Sequence, residues 1–178
     1  MTCIVGIAQG GKVYMGGDSA SAAGWEVKRT TLSKVFRING FIIGYTSSFR
    51  MGQLLEHRLD VPSQKEGVED LAYMVKVFIE SVRQCLKDGG YTKIESNREE
   101  SGTFLVGYKG RLYIVCDDFQ VNESRDGFNA CGCGSEYALG ALKIMDEDNE
   151  PRSRIRKALK VAAWFSGGVV EPFKVIYQ

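Results

Sequence analysis

The chain is predicted to be an α+β protein, a four-layer α/β/β/α sandwich with two antiparallel sheets between helical layers. The first observation behind this is the element order, which runs strands, two helices, strands, two helices, strand. The second is that neighbouring strand patterns are joined by Gly- and Asn-containing turns short enough only for antiparallel pairing. The third is that the helical patterns come in pairs, each helix with one apolar stripe that must be buried against a sheet.

Residues 3–17 read as two short strands around Gly10-Gly11, and 34–46 as two more around Asn39-Gly40, the strongest short hairpin signal. A short helix follows, with Met51, Leu54, Leu55 and Leu59 on its buried side. Val68, Leu71, Ala72, Val75, Phe78, Ile79, Val82, Cys85 and Leu86 then recur at spacings of three and four, an apolar stripe along a longer helix that Asp88-Gly89-Gly90 stops. Residues 91–101 read as a polar loop. Strands return as 103–108 and 112–116 around Lys109-Gly110, with a further strand near 127–131. Tyr137, Ala138, Ala141, Leu142 and Met145 form the stripe of a third helix, and Ile155, Ala158, Leu159, Ala162 and Phe165 that of a fourth. Pro151 suits the first turn of that last helix. A final strand runs over 173–177. Neither repeat nor low-complexity linker divides the chain, so residues 1–178 are expected to form one domain.

Composition excludes several function classes. With 23 basic and 22 acidic side chains, the net charge is +1, which leaves no electrostatic footprint for nucleic acid or for an acidic membrane surface. No run approaches the roughly 20 apolar residues of a membrane helix, and no signal sequence opens the chain. The five cysteines (Cys3, Cys85, Cys116, Cys131, Cys133) are odd in number, lack paired CxxC units and have one histidine, His57, for company. A reduced, cytoplasmic chain is expected.

The pattern of particular residues points further. Thr2 stands second in the chain; Gly10-Gly11, Gly17-Asp18-Ser19, Lys34-Val35 and Gly44 follow at one register, then Gly132-Cys133-Gly134-Ser135 with Tyr137-Ala138 and Gly140, then Ser166-Gly167-Gly168. In this the chain resembles a proteasome β-type subunit of the N-terminal nucleophile hydrolases, the superfamily that includes the bacterial peptidase HslV, in a bacterial or phage-type form. The resemblance spans the whole chain and is densest over its first fifty residues. It implies that superfamily's α/β/β/α fold and a threonine-type peptidase activity.

What the resemblance implies for the site has a chemical rationale. A threonine hydroxyl is a weak nucleophile that needs an adjacent base. At a free N-terminus the base is the residue's own amine, whose pKa of about 7.7–8.0 leaves it partly neutral at working pH. Thr2 would thus be nucleophile and base together once Met1 is removed, which its small side chain permits. Lys34 would place an ammonium beside the hydroxyl and favour its deprotonated form, with Asp18 holding the lysine. The oxyanion donor would be the backbone N–H of Ser48, where the family has glycine, a costly exchange if φ is positive there. Cys133 replaces a serine that bonds the terminal amine, and Ala163 replaces a supporting aspartate, a change that HslV-type peptidases share. Ser21, Leu32, Phe36, Thr46 and Arg50 would line the substrate pocket, with Arg50 suited to an acidic residue on the acyl side of the cleaved bond.

The chemistry calls for no cofactor or metal. Expected partners are a peptide or unfolded-protein substrate, further copies of the chain in homo-oligomeric rings, and an ATP-dependent unfoldase, with neither nucleic acid nor membrane. Two other readings stand beside the peptidase. In one, the chain is a non-catalytic assembly subunit, with Ser48, Cys133 and Ala163 as marks of a site no longer maintained; in the other, it is an amidase for a small amide.

Overall fold

The computed structural model describes residues 1–23, 26–146 and 150–178, with the backbone alone for Ala22 and Ala23. Two antiparallel sheets dominate. One takes β1 (Cys3–Gln9), β2 (Lys12–Gly17), β12 (Phe128–Gly132) and β13 (Lys174–Tyr177) in the order β12-β1-β2-β13. The other takes β5 (Val35–Ile38), β6 (Phe41–Tyr45), β9 (Phe104–Tyr108), β10 (Arg111–Val115) and β11 (Val121–Glu123) in the order β11-β10-β9-β6-β5.

Strand alternation decides what lies between the layers. From β1, Cys3, Val5 and Ile7 point outward and pack on α4 (Ser135–Ile144) and α5 (Pro151–Phe165), against Ala138, Leu142, Ile155, Ala158, Leu159 and Ala162. Ile4 points the other way and meets Val13, Met15, Val35, Ile42, Leu105 and Leu112 in the seam between the sheets. From β6 and β9, Phe41, Ile43, Tyr45, Phe104 and Val106 cover the far side, under α1 (Phe49–His57), α2 (Asp70–Tyr73) and α3 (Ile79–Asp88). The result is helices, sheet, sheet, helices, as expected. The seam is tight: a Cβ on Gly44 would stand 2.5 Å from Ile4 Cγ2 and 2.6 Å from Met15 Sδ, so only glycine lets the sheets approach there.

Several local expectations need correction. The long helical stretch over 70–88 holds a π-helical segment, Met74–Phe78, between α2 and α3. The extra residue per turn shifts the helix phase, so Tyr73 and Met74 are buried while Val75 faces solvent; Val68, also exposed, lies before the helix. Residues 91–101, expected as a loop, carry the hairpin β7 (Lys93–Glu95) and β8 (Arg98–Glu100), turning through Ser96 and Asn97, both with positive φ. The ribbon of β3 (Ala20–Ala23) with β4 (Glu26–Arg29), and strand β11, were also outside the sequence reading. Tyr137 and Phe165, placed on buried stripes by period alone, instead stack on each other at the surface, their ring centroids 5.3 Å apart.

The topology has one consequence for function. β1 starts where its antiparallel partners β2 and β12 finish, with Ile4 opposite Gly17 and Cys3 opposite Gly132. β5 starts where β6 ends, Val35 opposite Gly44. Thr2, Asp18, Lys34, Thr46 and Cys133, distant in sequence, therefore arrive at the same end of the sandwich.

Candidate active site

Three of the residues singled out by sequence form one buried chain of hydrogen bonds. Lys34, just before β5, donates from Nζ to Thr2 Oγ1 at 2.7 Å and to the Asp18 carboxylate at 3.0 and 3.1 Å. All three are buried, with the side chains of Lys34 and Asp18 exposed by 2% and 0%. Asp18 is fixed from behind: Oδ1 accepts from the Cys3 N–H (3.0 Å) and Oδ2 from the Ala20 N–H (2.8 Å). A carboxylate accepting four hydrogen bonds from three groups in a dry site is charge-balanced and oriented, and it fixes the lysine in turn. Burial lowers the Lys34 pKa, with Asp18 opposing that shift. An ammonium beside Thr2 Oγ1 favours loss of the hydroxyl proton, so the geometry suits the threonine to nucleophilic attack.

With Met1 in place, Thr2 N is an amide. It donates to Cys133 Sγ (3.2 Å), while Thr2 Oγ1 donates to the Met1 carbonyl (2.5 Å). Ser166 Oγ also donates to Cys133 Sγ, at 3.4 Å. Cys133 thus holds the Thr2 nitrogen, and Ser166 in turn holds Cys133. Ala163 does not reach this group and packs with the α4/α5 cluster. The approach of the chain to Thr2 depends on Gly132: its φ is 98°, and a Cβ there would lie 2.2 Å from Thr2 O. Only glycine is compatible with both.

The segment after β6 differs from the sequence-based expectation. Ser48 has extended backbone (φ −146°), so serine carries no conformational penalty there; the positive φ of 64° falls on Ser47. The turn brings the Ser48 N–H to 2.7 Å from Thr46 O, so this donor is engaged within a γ-turn. Ser48 Oγ accepts from the Arg50 N–H (3.0 Å) and caps α1.

A small cleft of about 70 Å³ opens beside Thr2, walled by Met1, Lys34, Tyr45, Thr46, Ser48 and Phe49. Of the five residues expected around a substrate, Thr46 alone lines this cleft. Phe36 is turned into the core under the helices, Leu32 is exposed, and Ser21 lies on the β3/β4 ribbon. Arg50 donates to Gly89 O at 3.2 Å. Phe49, outside the sequence reading, places its ring centroid 5.8 Å from Lys34 Nζ. Its position directly after Ser48 was the only sign of it.

No protein-family model matches the chain. Solved structures do. BPH from Thiobacillus denitrificans superposes with a TM-score of 0.83 at 19% sequence identity, over 99% of this chain and 97% of that one. The same BPH in complex with epoxomicin gives 0.83 at 18% identity, over 99% and 98%. Eukaryotic HslV from Trypanosoma brucei gives 0.71 at 19% identity, over 99% and 98%. The fold is that of the N-terminal nucleophile hydrolases. In the frame of that fold, Thr2 precedes the first strand, and the Lys34–Asp18 pair stands beneath it.

Proposed function

We propose that the chain is a threonine-type endopeptidase whose nucleophile is Thr2 after Met1 has been removed. The buried chain from Asp18 through Lys34 to Thr2 Oγ1, with Nζ at 2.7 Å, is the observation that carries this reading. In the reaction, the freed amine takes the hydroxyl proton as Oγ attacks the carbonyl carbon of the peptide. The tetrahedral intermediate collapses with cleavage of the C–N bond, the proton passing to the departing amine, and leaves an ester on Thr2. Water then attacks that ester and restores the hydroxyl. Lys34 stabilises the alkoxide character of Oγ throughout, and Cys133 and Ser166 orient the amine. The Ser48 N–H serves the oxyanion once it turns away from Thr46 O.

The peptidase works in the cytoplasm within homo-oligomeric rings that enclose the sites, on peptides or proteins unfolded by an ATP-dependent partner. Enclosure supplies the selection against folded proteins that so small a cleft cannot. Superposition with a BPH captured in complex with epoxomicin supports a peptidase over an amidase for small amides.

A second reading, a non-catalytic assembly subunit, is favoured by one observation: the Ser48 N–H is bonded to Thr46 O. Intact mass before and after incubation with a peptide epoxyketone separates the two, because this inhibitor bonds to both the hydroxyl and the amine of an N-terminal threonine. The peptidase reading expects a chain lacking Met1 that gains one inhibitor, with no gain in Thr2→Ala. A chain lacking Met1 that gains nothing would overturn it.

A further inference from the structure

At the end of β1 remote from Thr2, a pocket of about 230 Å³ lies between the last residues of that strand, the start of β12 and the first turn of α5. Its walls include Ile7, Ala8, Gly127, Phe128, Asp126 and Arg154. Arg154 is only 3% exposed, yet its Nε has no hydrogen-bond partner, and the side chain makes no ion pair among the described residues. A guanidinium is always charged, so burial without a counter-charge is unfavourable unless something supplies one. The other deeply buried cation among the described residues, Lys34, has Asp18. Asp126, which lines the same pocket, pairs at 3.6 Å with Lys143 instead. The position compounds the effect: Arg154 stands in the first turn of the fifteen-residue helix α5, the positive end of its dipole.

We propose that this pocket is an oxyanion site in which Arg154 binds a carboxylate-type group. The planar fork of guanidinium N–H groups matches two oxygens of one carboxylate or phosphate. The flanking Ile7 and Phe128 exclude water and strengthen the pairing, while Ala8 and Gly127 leave room for the anion. The group comes either from a free small anion or from an acidic side chain of a second copy of this chain.

The test follows the Arg154 Nε–H resonance by NMR in the full-length ¹⁵N-labelled protein, assigned through bonds so that no variant is needed. In chloride buffer at constant ionic strength, sodium acetate and sodium phosphate are titrated separately. The site predicts a saturable shift of this one arginine resonance. It also predicts a melting temperature that rises with the anion in wild type and in the exposed-control variant Arg152→Gln, and not in Arg154→Gln. If a second copy supplies the carboxylate, the resonance shifts instead on diluting the protein in anion-free buffer. A resonance that neither anion nor protein concentration moves, or that drifts without saturation as exposed arginines do, overturns the proposal.

Discussion

Replacing Lys34 with methionine removes the ammonium and keeps a side chain of similar length, so the loss falls on Asp18. That carboxylate, fully buried, retains the Cys3 and Ala20 N–H donors but no cation. Breaking a buried ion pair from one side costs about 3–5 kcal/mol. Adding Asp18→Asn removes the stranded charge but turns its NH2 toward one of the two backbone N–H donors, so it should recover about 1 kcal/mol at pH 7. Urea denaturation of the wild type, K34M and D18N/K34M at pH 7 tests this. A K34M deficit below about 1 kcal/mol, or a double variant no more stable than K34M, would refute the buried-pair argument.

Gly132→Ala should cost about 3 kcal/mol or more, because its φ of 98° is a glycine conformation and the added Cβ meets Thr2 O at 2.2 Å. Gly140→Ala, in α4 where a Cβ meets nothing within 4 Å, should instead stabilise by about 1 kcal/mol, and paired thermal melts compare the two. Burial pushes the Cys3 thiol from 9.0 up to about 12, Asp18 adding to the effect. Its contribution to stability is thus complete below pH 9 and lost as pH rises toward 12. Denaturation at pH 9–11 should show Cys3→Ala with a shallower decline than wild type, by at most about 1.4 kcal/mol per pH unit.

The sequence by itself determined the element types wherever period and turn chemistry agreed. Asn39-Gly40 and Lys109-Gly110 set hairpins, and Leu54, Leu55, Ala158 and Leu159 set buried helix faces, because such patterns are local and each has one favourable partner layer. That Thr2, Asp18 and Lys34 belong together came from the family resemblance rather than from any local pattern, and the structure brings their side chains into contact. What the tertiary structure decided were matters of phase and competition. A π-helical turn moved Tyr73 and Met74 inward and Val75 outward, a shift no 3.6-residue period contains. Phe36 and Arg50 share the expected pocket register, yet the core took one and Gly89 O the other. The Ser48 N–H could point to an oxyanion or to Thr46 O, and the φ of Ser47 chose between them. The charge state of Arg154 was certain from its residue type; its burial without an ion pair among the described residues came only from the meeting of β1, β12 and α5. Local pattern fixes how a segment folds, but which polar group finds a partner depends on surfaces brought together from distant parts of the chain.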